Sequence, residues 1–367
     1  MEPFKNLYNP TFVNRLAQYG QAVYPAFDPR AFTASIFTSD WEALELKQRM
    51  RRLSEALHEQ FPKDFAESGP LLLVLVDHIN SQGDKEGSIE YMFLPDFVEQ
   101  YGRNQPELAF DIMEELTQFT SCEFAVRLYL IDRPEVGMKR MRKWSTHPNL
   151  HVRRLASEGC RPRLPWAMAL PFLKKDPSPI LPILERLKSD ASEYVRRSVA
   201  NNLNDISKDH PELALEIATQ WKGLDNETDW VAKHGSRTLL KQGNPKAMAL
   251  FGLGHPEGIE ISGFTIHTPK IEIGDYLEFS LHLSNTTHKT RKLRLEYGLY
   301  YLKANGTHSR KVFKISEKEY AGQTTVNIQR RQSFKPITTR VFHKGHHKLS
   351  PIINGVEFEP ILEFELL

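Results

Sequence analysis

The sequence predicts two domains of different class, an all-α domain of HEAT-like repeats followed by an all-β sandwich of immunoglobulin type. Three observations support this prediction: a Val-Arg pattern recurs along the first part, a glycine-rich stretch then stops the helical pattern, and short alternating strands follow. We therefore expect an α-solenoid over residues 1–251, a linker over residues 252–258 and a β-sandwich over residues 259–367.

The first hundred residues predict helices. Residues 11–21 hold a short helical pattern between prolines, and residues 41–60 repeat apolar side chains at helical spacing among charged ones. The apolar run at residues 70–79 is compatible with a strand. We predict a buried helix there because the segments around it are helical.

Internal repeats begin near residue 106 and continue to about residue 245. Val-Arg-Arg at residues 152–154 recurs at residues 195–197, 43 residues later, and Val-Ala-Lys follows at residues 231–233 after another 36 residues. This spacing, with two helices in each unit, is typical of HEAT-like repeats. The basic residue directly after the valine commonly ties neighbouring repeats together. A structural role is therefore an alternative to ligand binding for Arg127, and the favoured one for Arg153 and Arg196.

After the glycine-rich stretch the hydrophobic period changes from the helical value to two, which predicts strands. The basic residues also concentrate here, because residues 260–350 contain 16 Lys and Arg against 7 Asp and Glu, in a chain of net charge +2. This asymmetry predicts a basic surface on part of the molecule. The predicted strands are 270–273, 277–283, 292–297, 311–315, 325–328, 338–342, 345–353 and 361–366.

Composition excludes several classes of protein. We find no apolar run of about 18 residues, so no membrane span is expected. The start of the chain lacks the pattern of a signal peptide, and two cysteines do not make a disulfide framework, so a reducing cytoplasm is expected. Neither a phosphate-binding glycine loop nor a zinc-spaced set of Cys and His occurs, and the pair His346 and His347 is not expected to bind metal.

Charged side chains recur at one-turn spacing along the predicted second helices of the repeats. Cations spaced along a concave face suit the phosphates of a nucleic acid, whereas carboxylates repel phosphate. The acids therefore either orient the arginines or serve a cationic ligand, a developing positive charge or a water molecule. These groups are Glu123 with Arg127, Arg154 with Glu158, Arg197 with Asn201 and Asp205, and Lys233 with Arg237 and Lys241.

A loop with two arginines, two prolines and a tryptophan follows Glu158. Trp166 ends this run, whose cations are Arg161 and Arg163. Spacing alone assigns Trp166 to the core, whereas an exposed indole beside arginines offers a face to a sugar, a base or a cation. Both possibilities remain open from the sequence.

Several segments resemble bacterial AlkC DNA glycosylases, members of the HEAT-like-repeat alkylation-repair superfamily shared with AlkD. The resemblance rests on the runs at residues 119–127, 156–166 and 200–206, and extends to residues 7–10 and 311–314. It spans nearly the whole chain, and the Ser-Glu-Gly-Cys-Arg-Pro-Arg-Leu-Pro-Trp run ending at Trp166 is quite specific. The immunoglobulin-like domain resembles the longer branch of the family.

The resemblance implies a monofunctional glycosylase that removes cationic N-alkylated bases, such as 3-methylcytosine, 1-methyladenine or 3-methyladenine, and leaves an abasic site. It implies no metal or other cofactor and no flipping of the base into a pocket. Its partner would be double-stranded DNA containing alkylated bases, bound by a monomer. Glu123, Glu158 and Asp205 would be the catalytic acids, with Trp166 against the lesion or its sugar.

The expected DNA contacts include a basic cluster in the β-domain, placed in a turn between two strands, that would clamp the duplex from the side opposite the solenoid. A HEAT-repeat scaffold without chemistry and a non-catalytic sensor of DNA damage remain alternatives. The residues expected to bind DNA are Arg127, Arg154, Arg161, Arg163, Arg197, Asn201, Lys233, Arg237, Lys241, Arg330, Arg331 and Lys335.

Overall fold

The computed structural model describes residues 3–83, 89–337 and 340–367, with helices first and strands after them. The chain forms two units by internal contacts. The first unit consists of two segments, the chain up to His210 and Gln220–Gly235. The second unit consists of Pro211–Thr219 and Ser236–Leu367. The expected order of an α-helical region followed by a β-sandwich is confirmed.

Sixteen α-helices occur in the described residues. The run predicted as a buried helix at residues 70–79 lies within α4, so the helix is confirmed, although only one face of it is buried and Val74 is exposed. The helix predicted at residues 41–60 instead starts with a 3₁₀ turn, Trp41–Ala43, before α3 begins. The helices are α1 (Pro10–Val23), α2 (Pro29–Ile36), α3 (Leu46–Gln60), α4 (Phe65–Ser81), α5 (Phe93–Tyr101), α6 (Pro106–Leu116), α7 (Val126–Asp132), α8 (Pro134–Trp144), α9 (Leu150–Glu158), α10 (Pro171–Lys175), α11 (Leu181–Leu187), α12 (Glu193–Asp209), α13 (Pro211–Trp221), α14 (Asn226–Gly235), α15 (Arg237–Lys241) and α16 (Pro245–Leu250).

Local sequence explains the repeated helix pairs. The first helices α6, α8 and α13 each begin on a proline, whose fixed φ suits the first helical position and whose missing N–H costs nothing there. The valine that marks the second helices is fully buried in every copy, at Val126, Val152, Val195 and Val231. These valines therefore form part of the core between neighbouring helices, with α9 packed on α12 and α12 on α14.

The predicted linker at residues 252–258 lies inside the second unit, because α15 and α16 precede it there. Gly243, just after α15, lies so close to Gly355 of the β-domain that a Cβ on it would stand 2.7 Å from the Gly355 carbonyl oxygen. The Asn354 side chain donates to the carbonyl oxygen of Gly254 at 2.7 Å. The glycine-rich stretch is thus hydrogen-bonded to the β-domain.

The β-domain consists of two sheets around one hydrophobic core. One sheet has the order β1-β3-β6, and the other β2-β9-β7-β4-β5 with β8 paired to β7. Neighbouring strands are antiparallel except β2 and β9, which are parallel. The strands are β1 (Ile259–Ile266), β2 (Lys270–Ile271), β3 (Tyr276–Asn285), β4 (Arg291–Leu302), β5 (His308–Tyr320), β6 (Thr324–Ser333), β7 (Gly345–Ile353), β8 (Val356–Glu357) and β9 (Leu362–Leu366).

Two strand predictions were wrong, and β1 was not predicted. The strand predicted at residues 338–342 is absent from the part that the structure describes: Thr338 and Thr339 lie outside the described residues, and Arg340 forms only an isolated bridge with Ile337. The basic cluster predicted in a turn lies largely in β6, which pairs with β3 as far as Ser333. The reason is the continuous backbone pairing of β6 with β3 from Thr324 to Ser333, to which the exposed ion pair of Arg331 with Glu278 at 2.9 Å adds little.

Candidate functional site

Residues 159–170 form a loop between α9 and α10. Gly159 starts the loop in close contact with α7, because a Cβ there would lie 2.7 Å from Val126 Cγ1. The loop holds Trp166 at a positive φ of 65° and leaves 63% of this residue exposed. Such a conformation is unfavourable for a bulky residue and is found most often at functional sites. Of the two positions that the sequence left open, Trp166 therefore takes the one at the surface.

Arg127 lies in the interior, fully buried, and not on a DNA-binding surface as predicted. Its guanidinium donates to the carbonyl oxygens of Met168 at 2.7 Å, Arg161 at 2.9 Å and Gly159 at 3.0 Å. Burial lowers the pKa of Arg127 to about 10, so the side chain still carries its charge at neutral pH. The expected phosphate contact is corrected to a positioning role, in which Arg127 fixes both ends of the loop that carries Trp166.

Three carboxylates and two guanidiniums form a continuous set of ion pairs, named here the acid–arginine network: Glu123, Arg154, Glu158, Arg161 and Asp205. Arg154 Nη1 donates to Glu123, and Arg154 Nη2 lies 3.6 Å from Glu158 Oε1. Arg161 donates to Glu158 Oε1 at 2.7 Å and to Asp205 Oδ2 at 2.9 Å. The three predicted catalytic acids are therefore brought together, separated by arginines.

The acids of this network come from different elements. Glu123 lies in the turn before α7 rather than on a helix, so the helical pairing predicted with Arg127 does not form. Ser121 Oγ donates to Glu123 at 2.6 Å and fixes it in this turn. Glu158 is the last residue of α9 and Asp205 lies within α12, and both are almost completely buried.

One oxygen of Glu158 is left without a partner. Its Oε1 accepts from Arg161, while its Oε2 is buried and has no hydrogen-bond partner in the described ranges. Leaving a buried acceptor unpaired costs on the order of 1–3 kcal/mol, and more when the group is charged. Glu158 Oε2 can therefore accept a further hydrogen bond.

Charge keeps the arginines of the network protonated. Burial lowers the pKa of Arg154, but Glu123 and Glu158 raise it by more, and the pKa lies above its usual value. The pKa of Arg161 is raised in the same way, against the effect of burial, by Glu158 and Asp205. Both guanidiniums are thus permanent cations, and Arg161 is 6% exposed, so its expected contact with a DNA phosphate is not supported by its position.

A cavity of about 320 Å³ brings Glu123 and Trp166 to one surface, together with Glu99 and Phe124. Glu158 and Asp205 do not line it. Of the predicted catalytic residues, Glu123 and Trp166 therefore line the cavity. Glu158 and Asp205 do not line it and are connected to Glu123 through the two arginines.

Sequence reasoning missed the side chains of α3 and α5 that line this region. Arg51 on α3 donates two hydrogen bonds to Asp96 on α5, at 2.8 and 2.9 Å. Glu99 lies one turn beyond Asp96, and Lys47 reaches the carbonyl oxygen of Trp166. The available signal was a pair of acids three residues apart in the otherwise apolar helix Phe93–Tyr101.

The other cations predicted to bind DNA lie in varied surroundings. Arg197 is 57% exposed and pairs with exposed Glu193 on the same helix. Arg163 pairs with Asp209, the last residue of α12, and Arg154 lies 4.6 Å from the ring centroid of Tyr194. The regular spacing predicted for Lys233, Arg237 and Lys241 is interrupted, because Ser236 separates α14 from α15. Asn201 is half-buried on α12; in the β-domain, Arg330, Arg331 and Lys335 are exposed.

Two kinds of feature are absent from the described ranges. No helix there is long and apolar enough to span a membrane. No group of three or more His, Cys, Asp and Glu side chains there has the arrangement to hold a metal ion.

The positioning role of Arg127 predicts a loss of stability. Arg127→Met removes three hydrogen bonds and leaves three carbonyl oxygens unpaired, so the free energy of unfolding should fall by about 3 kcal/mol. Arg163→Met, in the same loop, breaks only a partly exposed ion pair and should cost less than about 1 kcal/mol. Urea unfolding of both variants measures the difference; equal losses would contradict the assignment of Arg127.

Comparison with known proteins adds two family descriptions. The family described as "DNA alkylation repair enzyme" matches residues 107–224, and the C-terminal Ig-like domain described for YhaZ matches residues 260–367. The protein YhaZ of Bacillus subtilis is 43% identical over 366 residues, covering 100% of both chains. The alkylpurine DNA glycosylase AlkC of Pseudomonas fluorescens, solved bound to DNA containing an abasic site analog, is 36% identical and covers 100% of both chains with a TM-score of 0.93. The helical repeats, the immunoglobulin-like domain and this full-length similarity together show that the chain belongs to the AlkC family of DNA alkylation repair proteins.

Proposed function

We propose that this chain is a monofunctional DNA glycosylase that hydrolyses the N-glycosidic bond of cationic N-alkylated bases in double-stranded DNA. Its substrates would be 3-methylcytosine, 1-methyladenine and 3-methyladenine, and the base would not be flipped into a pocket. The observation that supports this most directly is the unpaired, buried Oε2 of Glu158 inside the acid–arginine network. The likeness to a glycosylase solved on abasic-site DNA points the same way.

The reaction explains why a DNA-binding protein holds three acids together. When the glycosidic bond breaks, its electron pair goes to the base nitrogen, so a cationic base leaves as a neutral molecule. Positive charge then develops on the sugar, and the oxygen of a water molecule bonds to its anomeric carbon while a proton is lost. Carboxylates stabilise the cationic sugar and accept the water's proton, two roles that no phosphate-binding arginine can fill.

The assignment of roles follows position. Glu123 shares a cavity wall with Trp166 and is partly accessible, which suits a group that meets the sugar or the attacking water. Glu158 has an oxygen free to accept a hydrogen bond, and Asp205 holds Arg161 in place. Trp166 presents its indole at the surface, which suits contact with a lesion that stays in the duplex.

Exposed cations of both regions would bind the phosphates. Arg197 on α12 keeps more than half of its side chain exposed, as a phosphate ligand requires. In the β-domain Arg331 and Lys335 both lie over the ring of Tyr276, at 4.4 and 5.7 Å from its centroid. The ring holds two cations side by side at the end of β6, which favours a second DNA contact in that domain.

The two alternatives are a scaffold for proteins and a sensor that binds damage without cutting it. A base-release assay on duplex oligonucleotides with defined alkylated bases distinguishes them from a glycosylase. Release of the free base would exclude both, whereas salt-sensitive DNA binding without release would leave the sensor.

The acid–arginine network predicts a specific effect of Glu158→Gln. The substitution keeps the shape of the side chain and removes the charge, so single-turnover excision of 3-methyladenine should slow by about 10²–10³-fold. Binding to the same DNA should be nearly normal, because a glutamate makes no favourable phosphate contact. Glu135→Gln, an exposed acid on α8, is the matched control and should excise normally. Excision at the normal rate by Glu158→Gln would refute a catalytic role for this carboxylate.

Phosphate binding by α12 predicts a change in salt dependence. Arg197→Ala should weaken binding to damaged and undamaged duplexes alike and reduce the slope of log affinity against log salt by about one ion. Lys139→Ala removes an exposed cation from the first helix α8 and should leave the slope unchanged. Fluorescence anisotropy at several salt concentrations gives both slopes, and identical slopes for the two variants would contradict the assignment.

The β-domain contact is tested by removing its paired cations. Arg331→Ala combined with Lys335→Ala should weaken DNA binding at least tenfold, because two charge contacts with phosphate are lost. The β-sandwich should remain folded, since both side chains are exposed. Lys270→Ala, an exposed cation of β2 paired with Glu365, is the control. Unchanged affinity in the double variant would remove this domain surface from the DNA interface.

A further inference from the structure

The cavity lined by Glu123 and Trp166 continues into a larger one, and Glu99, which lines both, has no role in the reaction described above. Two adjoining cavities, of about 440 and 320 Å³, share Met50, Asp96, Glu99, Phe124 and Trp166 in their walls. The combined space is named here the Glu99 pocket, and all of its residues belong to the first unit. Each cavity falls within the roughly 300–1,000 Å³ of small-molecule sites.

The aromatic walls of the Glu99 pocket are held in place from one side. Lys47 Nζ donates to the carbonyl oxygen of Trp166 and lies 5.2 Å from the ring centroid of Phe124. One cation therefore fixes the backbone under one aromatic ring and attracts the face of the other. Flat rings beside a cavity suit a flat, weakly polar ligand that can stack on them.

Asp96 and Glu99, the two acids that line both cavities, differ in their capacity to bind a ligand. Both oxygens of Asp96 accept hydrogen bonds from Arg51, so this carboxylate is occupied. Glu99 has Arg51 only at 3.9 Å, and its side chain is 16% exposed. Glu99 is thus the polar group of the pocket with capacity for a ligand.

The protonation of Glu99 sets what it can bind. Burial raises the pKa of Glu99 to about 7, Asp96 adds to this effect, and the cations Arg51, Lys47 and Arg103 oppose it. Near neutral pH both forms are therefore present. The protonated form donates one hydrogen bond and accepts another, which matches an edge that carries an amino group beside a ring nitrogen.

We propose that the Glu99 pocket receives the alkylated base after it has been cut from the sugar. This proposal rests on the proposed glycosylase function. The leaving base is neutral, flat and carries donor and acceptor atoms on one edge, so the aromatic walls stack on it while Glu99 binds that edge. The pocket meets Glu123 at the shared cavity wall, which gives the base a short path from the sugar.

The test measures binding of free 3-methyladenine to the full-length protein in the absence of DNA, by equilibrium dialysis near neutral pH. The unaltered protein should bind the base, and Glu99→Leu should weaken binding about tenfold, because leucine neither donates nor accepts a hydrogen bond. Phe124→Leu should weaken it as well by removing a stacking face. Glu59→Gln, an exposed acid on α3 that lines neither cavity, should leave binding within twofold of normal.

Circular dichroism checks that each variant is folded. Absence of binding by the unaltered protein, or equal binding by Glu99→Leu and Glu59→Gln, overturns the pocket. A base-release assay run in parallel separates the two proposals. A protein that releases the base but does not bind it free contradicts only the pocket. A protein that releases no base contradicts the glycosylase, and a base site sensitive to Glu99→Leu would then still support a pocket for the free base.

Discussion

The contacts of buried Arg127 with three carbonyl oxygens determine where the rest of the site lies. They join α7 to the loop after α9, and that loop carries both Arg161 of the acid–arginine network and the exposed Trp166. A cation with several fixed donors is well suited to this task, because backbone carbonyls away from water need partners and a lysine offers no comparable fork. The functional surface thus depends on a side chain that never reaches it.

In the acid–arginine network, cations lie between the three carboxylates and reduce their mutual repulsion. Three carboxylates brought together in a poorly solvated region would repel and take up protons. Arg154 and Arg161 stand between them, and Lys208 adds a third cation at 3.0 Å from Asp205. These cations offset the repulsion among the three carboxylates and hold them close together.

Sequence periodicity was sufficient for the helical class of the first region, for most of the strands and for the change of class near residue 252. It failed where a tertiary contact decided the outcome. Arg127 and Arg196 both directly follow the valine of a repeat. Arg127 is fully buried and donates to three carbonyl oxygens of the loop after α9, whereas Arg196 is half-buried and donates to the carbonyl oxygens of Asp190 and Ala191, and only packing distinguishes them. Arg331 lies in a strand opposite Glu278 of β3, and local turn preferences cannot reveal pairing with a segment 53 positions away. Glu99 was overlooked because its importance comes from the neighbours that fold around it.

The close approach of Gly243 to Gly355 bears on how such a chain can be divided or assembled. Both glycines have positive φ, at 71° and 79°, and neither position has room for a side chain. Met248 of α16 also lies against Gly355. The sequence suggests a domain boundary at the glycine-rich stretch. A fragment that starts there would nevertheless lack α15 and α16 and their contacts with Gly355. A domain transferred between proteins would therefore include α15 and α16. Recombination at the glycine-rich stretch would instead yield a β-sandwich without the helices that pack against Gly355.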